Sequence, residues 1–338
     1  MKSIILAAGQ GSRMKSDTPK PLLKIGGKPM LRHVIDALKA TFPMDAEDIN
    51  VVYSQVGIAV KKAAYEDVIY SEQETPKGTG DAVRAAIESH PVSGDDVLIL
   101  YGDVPLITPE TINGLVAAKK DADLALLSVC LDDPNGYGRI IRNDNGNVVG
   151  IVEQKDANEQ QKIIDEVNTG IMLVSGSKLT EWVSALNNDN AQKEYYLTDI
   201  VEMAARDGKV ACYITEDEDE VAGANDRVQM AELEAAYQER KIMSAMMNGL
   251  AVVDPTRVDI RGELTFGRNC EVDINVIFEG NVVLGDNVKV GPGSILTNCV
   301  IEDGTTIHPY TLIKDSTIGR TTIVGAFARI NKGDRLPS

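Results

Sequence analysis

Short, nearly continuous apolar runs alternate with helical patterns over the first two thirds of the chain. Ser3–Ala7 reads as a buried strand that runs straight into a glycine-rich turn. Asn50–Tyr53, Asp96–Tyr101 and Leu124–Val129 read as further strands, the second of them ending in Gly102-Asp103. Between them, Met30–Ala40 has amphipathic helical spacing, Gly80–Ser89 is helical, and Pro109-Glu110 opens a helix after a capping Thr108. Apolar strands separated by helices predict an α/β domain with a mostly parallel sheet, whose ligands bind beyond the carboxyl ends of the strands. Residues 226–248 form one helical stretch with Met230, Leu233, Ala236, Tyr237 and Ile242, read either as a connecting helix or as the last helix of the first domain.

From Ile260 the texture changes. Aliphatic residues or Phe recur every sixth position at 260, 266, 272, 278, 284, 290 and 296. After a five-residue step they recur at 301, 307 and 313, and after another at 318, 324 and 330. A period of six is neither helical nor alternating. It predicts a short left-handed parallel β-helix of hexapeptide repeats, three hexads making one coil of about 18 residues, with a homotrimer formed side by side. The expected domains are therefore 1–227, a linking helix at 228–249, and 250–338.

The 338 residues carry 34 Lys+Arg against 51 Asp+Glu, a formal charge of -17, with 43% hydrophobic and 25% charged residues. That composition belongs to a folded chain of about two domains. The acidity argues against a nonspecific partner that is itself anionic, nucleic acid or membrane surface, but leaves room for a local basic pocket. Cys130, Cys212, Cys270 and Cys299 form no CxxC pair, and His33, His90 and His308 are scattered, which disfavours a cysteine or histidine metal cluster. The apolar run Ile4–Ala8 is too short for a signal-peptide core and no 18-residue apolar stretch exists, so a cytoplasmic location is expected.

Leu6-Ala7-Ala8-Gly9-Gln10-Gly11-Ser12-Arg13-Met14, followed by Pro19-Lys20-Pro21-Leu22, puts a strand, a glycine turn and two cations together. Backbone N–H groups at such a turn approach phosphates closely, and Arg13 and Lys20 suit a triphosphate tail. The spacing is neither GxGxxG nor GxxxxGK[ST], and a lone Gly-x-Gly is also an ordinary turn. Asp103, at the end of a central strand, suits a divalent metal shared with substrate phosphates, or a plain helix cap. Gln73 with Gly78-Thr79-Gly80 suits a flat base, or a generic turn. Gly136-Tyr137-Gly138-Arg139, Glu153, Lys155 and Asn168-Thr169-Gly170 have sugar-binding character without unique meaning. Asn225 reads as a ligand or as an N-cap, and the acidic run Glu216–Glu220 as a solvated face.

In order, LAAGQGSRM at 6–14, YGDVPL at 101–106, DDPNGYGRI at 132–140, GIVEQKDA at 150–157, VNTGI at 167–171 and EYYLTD at 194–199, ahead of the hexads, give the chain its family likeness. It resembles the bacterial bifunctional N-acetylglucosamine-1-phosphate uridyltransferase / glucosamine-1-phosphate acetyltransferase family over essentially its whole length. The resemblance implies a Rossmann-like nucleotidyltransferase domain that uses Mg²⁺ to join UTP and N-acetylglucosamine 1-phosphate. The products would be UDP-N-acetylglucosamine, a precursor for peptidoglycan and lipopolysaccharide, and pyrophosphate. It implies catalytic roles for Arg13 and Lys20. Leu6, Ala8, Gly9, Gln10, Gly11, Gln73, Gly78 and Thr79 would contact the nucleotide. Tyr101, Gly138, Glu153, Asn168, Thr169 and Tyr196 would hold the sugar, and Asp103 and Asn225 the metal. Family members run on for well over a hundred further residues, so an acetyltransferase site is not expected here. Other readings are a related sugar-1-phosphate nucleotidyltransferase of different specificity and a non-catalytic scaffold subunit.

Overall fold

A computed structural model describes residues 1–338 except 10, 64, 93, 333 and 335–338, and leaves the side chains of residues 12 and 56 undescribed. Two compact units emerge: Met1–Leu23 with Pro29–Gln229, and Lys24–Lys28 with Met230–Ser338.

The first unit is built on a nine-stranded sheet. Its strands are β1 (Lys2–Leu6), β2 (Ile49–Ser54), β3 (Ile69–Gln73), β4 (Asp96–Tyr101), β5 (Leu124–Cys130), β6 (Arg139–Arg142), β7 (Val148–Val152), β8 (Glu166–Ser175) and β9 (Val210–Thr215). The spatial order is β9-β5-β8-β4-β1-β2-β3, with β6 paired to β8 and β7. β1 is parallel to both β2 and β4, β2 to β3, and β5 to β9, whereas β8 is antiparallel to β4, β5 and β6. The β1 register shows why these strands read as continuous apolar runs, since both faces are covered. Ile4 and Leu6 face a core with Val83, Val97, Ile99 and Trp182; Ile5 and Ala7 face the opposite core with Leu31, Val34, Leu98 and Leu100. The order β3-β2-β1-β4 reverses direction between β1 and β4, the place where an open α/β sheet leaves a crevice at its carboxyl edge.

The helices follow the sequence patterns closely. Met30–Thr41 buries Met30, Leu31, Val34, Ile35 and Leu38, spaced one turn apart. Thr79–Ser89 starts one residue earlier than its pattern, directly after Gly78 at φ 110°. Pro109–Lys119 is capped by Thr108, whose hydroxyl accepts from the Thr111 N–H at 3.2 Å. The acidic run is not wholly a solvated face: Glu220 is buried and accepts hydrogen bonds from the hydroxyls of Thr108 and Thr111. Among the described residues no helix is long and apolar enough to cross a membrane.

The helix Arg227–Met247 belongs to the second unit from Met230 onward and contributes Leu233, Ala236, Tyr237, Ile242 and Ala245 as its buried residues. The Lys24–Lys28 turn joins this unit from far away in sequence: Gly26 N–H donates to Glu234 Oε2 at 2.8 Å. The tail is a stack of parallel strands. Val258 faces Val276 and Ile277 faces Ile295, 18 residues on; Ile295 faces Leu312 and Leu312 faces Arg329, 17 on. Ile260, Phe278, Leu296, Ile313 and Ile330 form one buried column, and Val272, Val290, Ile307 and Val324 another. A third buried row, Leu284, Ile301 and Ile318, stacks in register beside these two, and the strands of the three rows belong to two hydrogen-bonded sheets. One has two-residue rungs, while Val258–Phe266 and Val276–Leu284 run unbroken through two hexads each. Glycine makes that passage workable. Gly262 stands at φ 144° and Gly280 at φ 65°, and a Cβ on Gly262 would run into the Gly280 carbonyl oxygen.

Candidate functional site

At the carboxyl edge of β1 and β4 a cleft of about 560 Å³ opens within the first unit. Leu6, Ala8, Gly9, Gly11, Arg13, Lys20, Gln73, Gly78, Thr79, Tyr101, Asp103 and Asn225 all line it, together with Ala7, Pro21, Pro76, Ala82 and Glu194. Gln10 lies outside the described residues.

The floor of the cleft is an ionic cluster assembled from three separated segments. Lys20, in the short 3₁₀ turn Lys20–Leu22, places its ammonium against Asp103 Oδ2 and 3.0 Å from Asn225 Oδ1. Asn225 is free for this because Asp226, one residue later, caps the following helix by accepting from the N–H groups of Val228 and Gln229 at 2.9 and 3.0 Å. Gly11, at φ 56°, brings the glycine loop down onto the lysine stem; a Cβ there would lie 3.0 Å from Lys20 Cβ. Arg13 is exposed at the rim, with no ion pair to a described residue.

One wall is a clamp between two loops. Gly78, at φ 110°, passes so close to Glu194-Tyr195 that a Cβ would lie 2.5 Å from the Tyr195 carbonyl oxygen. Tyr195 N–H donates to Lys77 O at 2.7 Å, Gly80 N–H to Tyr195 O at 2.9 Å, and Leu197 N–H to the Thr79 hydroxyl at 3.2 Å. Gln73 is buried, and its amide nitrogen donates to Gly78 O and to Asp81 Oδ2 at 2.8 Å, which leaves its carbonyl oxygen as the group to present. Pro76 belongs to the loop Glu74-Thr75-Pro76-Lys77, which departs from the family pattern beside the base positions, whereas Glu194 has no role assigned from the sequence. The EYYLTD segment carried the signal for Glu194, but its approach to Gly78 depends on pairing across more than a hundred residues.

The remaining candidates form a second group beside the first. Asn168 N–H donates to Gly138 O at 2.8 Å, and the Asn168 side chain accepts from Gly170 N–H at 3.1 Å inside an irregularity of β8. A Cβ on Gly138 would lie 3.4 Å from Glu153 Oε2, and the Thr198 hydroxyl donates to Glu153 Oε1 at 2.9 Å. Tyr196 reaches Asp156 at 3.5 Å, while the Thr169 hydroxyl is committed to Leu127 O at 2.7 Å. Tyr101 stands between the groups: burial, with the charges of Glu153 and Asp103 adding to it, pushes its phenol well up. Burial likewise raises Glu153. Burial and then the neighbouring carboxylates of Glu153, Glu202 and Asp156 push Asp199 up to about 6. The Asp199 neighbourhood was missed from sequence, because Glu153 and Asp156 reach it from a distant segment and only Glu202 is local.

Among the described residues no group of three or more His, Cys, Asp or Glu gathers into a metal cage. One carboxylate and one amide oxygen converging on a single cationic nitrogen nevertheless fit a hard divalent ion, whose remaining ligands come from substrate phosphates and water.

Residues 3–248 match the family described as MobA-like NTP transferase domain, and residues 260–334 match the one described as GMPPB C-terminal domain. A crystal structure described as a putative glucose-1-phosphate thymidylyltransferase from Bacillus anthracis, in complex with a sucrose, is similar in fold. It has 22% identity and a TM-score of 0.54, and the match covers 70% of this chain and 94% of that one. The second match corrects the reading of the tail. It takes the place of the hexapeptide-repeat left-handed β-helix, and with it falls the identification as a shortened uridyltransferase/acetyltransferase. The peptidoglycan, lipopolysaccharide and bifunctional assignments fall too, and the trimer inferred from hexapeptide coils loses its ground. The physical cause of the error is that burying every sixth residue is a demand of stacked short rungs in general. The period therefore reports stacking, not ancestry.

Proposed function

Because the chain belongs to the family of MobA-like NTP transferase domains, we propose that it joins a nucleoside triphosphate to a sugar 1-phosphate and releases pyrophosphate. The observation that carries this reading is the convergence of Lys20, Asp103 and Asn225 under a glycine loop, with Arg13 on the rim of the same cleft. The general activity is that of a nucleotidyltransferase; the polar group around Glu153 and Asn168 next to the cleft supports a sugar phosphate as the acceptor.

The chemistry needs little from the protein except placement and charge. An oxygen of the sugar phosphate attacks the α-phosphorus, the bond to the β-phosphate oxygen breaks, and pyrophosphate leaves from the opposite side. The nucleophile is already ionised at neutral pH, so no general base is required. The obstacle is repulsion between two anions, and the remedy is alignment with fixed positive charge. Gly9 and Gly11 let the backbone approach the triphosphate, and Gln73, Gly78 and Thr79 hold the base. Arg13 acts where charge grows on the departing pyrophosphate. Glu153, Asn168, Gly138, Thr169, Tyr101 and Tyr196 form the sugar side. Asp103 and Asn225 would hold Mg²⁺, which supplies charge neutralisation across the reacting phosphates when bound.

The test is pyrophosphate release with Mg²⁺ across a panel of UTP, GTP, dTTP and ATP against the 1-phosphates of mannose, glucose and N-acetylglucosamine. Turnover with at least one pair, lost in Asp103→Ala, is the expected result. No turnover with any pair by a folded, metal-supplemented protein would overturn the reading.

A further inference from the structure

We infer that Lys20 occupies the cation seat of the nucleotide-free protein, and that its ammonium must leave before a divalent ion can enter. The inference rests on the reading above and deepens it. Lys20 Nζ sits between Asp103 Oδ2 and Asn225 Oδ1, the same two oxygens that would ligate the metal. The side chains are largely sheltered, with relative exposures of 11% for Lys20 and 22% for Asp103. A divalent ion at ordinary coordination distance from both oxygens would stand where the ammonium now stands, and two cations cannot share that point. The lysine has somewhere to go. Gly11 holds its stem near Cβ, so the flexible part is the outer end of the chain, which can turn from the oxygen pair toward the glycine loop. A triphosphate seated on that loop supplies the anion that receives the displaced ammonium. One lysine thus holds the two oxygens together before substrate arrives and binds phosphate afterwards. Metal affinity in the absence of nucleotide is suppressed as a consequence.

The experiment measures Mn²⁺ binding to the full chain without nucleotide, by loss of the free-ion electron paramagnetic resonance signal. Lys20→Met should bind Mn²⁺ at least about tenfold more tightly than wild type, and adding Asp103→Asn to that variant should abolish the gain. Equal or weaker binding by Lys20→Met, with Asp103→Asn weakening wild type, would overturn the inference while leaving the metal seat intact. Absence of Mn²⁺ binding in every protein, alongside Mg²⁺-dependent turnover, would also overturn it. Absence of both binding and turnover would instead remove the functional reading beneath it. A second measurement needs no variant. Acetic anhydride labelling of Lys20 in wild type, read by peptide mass spectrometry, should rise severalfold when Mg²⁺ alone is raised to concentrations that displace bound Mn²⁺ from the wild-type site. Unchanged labelling refutes displacement.

Discussion

Replacing Asp199 by asparagine removes a carboxylate that burial and neighbouring acids disfavour, with almost no change of shape. Asp199 opens the helix Asp199–Asp207, where the helix dipole by itself favours a negative side chain by about 0.3–1 kcal/mol. Burial, then the carboxylates of Glu153, Glu202 and Asp156, outweigh that and push Asp199 up to about 6. A rise from the ordinary aspartate value to about 6 corresponds to about 3 kcal/mol. Asp199 is only half-buried, so solvent screening reduces the expected effect to about 1–2 kcal/mol. The sign follows from linkage. The carboxyl is harder to ionise in the folded than in the unfolded chain, so its contribution is fully present below about pH 4 and is lost as pH rises through about 6. Asparagine imitates the protonated form at every pH. Asp199→Asn should therefore be more stable than wild type by about 1–2 kcal/mol at pH 8, and the gap should close as the pH is lowered toward 4. Urea unfolding of both proteins at pH 8 and pH 4.5, with equal m values, measures it. A gap of the same size at both pH values, or a wild type more stable at pH 8, would refute the account of this acidic neighbourhood.

Arg13→Ala should leave stability unchanged, because the side chain is exposed and bears no ion pair to a described residue. It should lower kcat by about 10²–10³-fold through lost charge stabilisation in the transition state, measured by steady-state pyrophosphate release. Gly78→Ala combines a φ of 110° with a Cβ 2.5 Å from the Tyr195 carbonyl oxygen. It should destabilise by about 3 kcal/mol and raise KM for the nucleotide, read by urea unfolding and initial rates. Gly262→Ala faces a φ of 144° and the Gly280 carbonyl, and should destabilise the stacked-strand unit by a similar amount while kcat stays within about twofold, because the cleft lies wholly in the first unit.

Much of the architecture was legible from local pattern, for a physical reason. A strand covered on both faces must be apolar at every position, as Ile4, Ile5 and Leu6 are, and a helix lying on a sheet must repeat its apolar residues each turn, as Leu31, Val34, Ile35 and Leu38 do. The glycine loop, Arg13, Lys20 and Asp103 were visible for a similar reason. Any site that handles a triphosphate tail needs close backbone approach and compact charge, and these residue types supply both. That same generality misled the finer reading. Chemistry common to all nucleotide transfer cannot name the base or the sugar, and a column of every-sixth residues cannot name a family.

Tertiary structure decided the rest, because the deciding contacts join residues that no short window contains. The antiparallel insertion of Glu166–Ser175 between Asp96–Tyr101 and Leu124–Cys130 depends on pairing energies on both sides of the strand, not on its own composition. The Gly78 clamp needs the 194–197 loop, and the raised Asp199 needs Glu153 and Asp156 from one distant segment besides Glu202 of its own helix. Above all, Lys20 meets Asn225 across 205 residues of chain, so the ion cluster at the centre of the cleft exists only once β1 and β4 lie side by side and the helix after Asp226 has been capped.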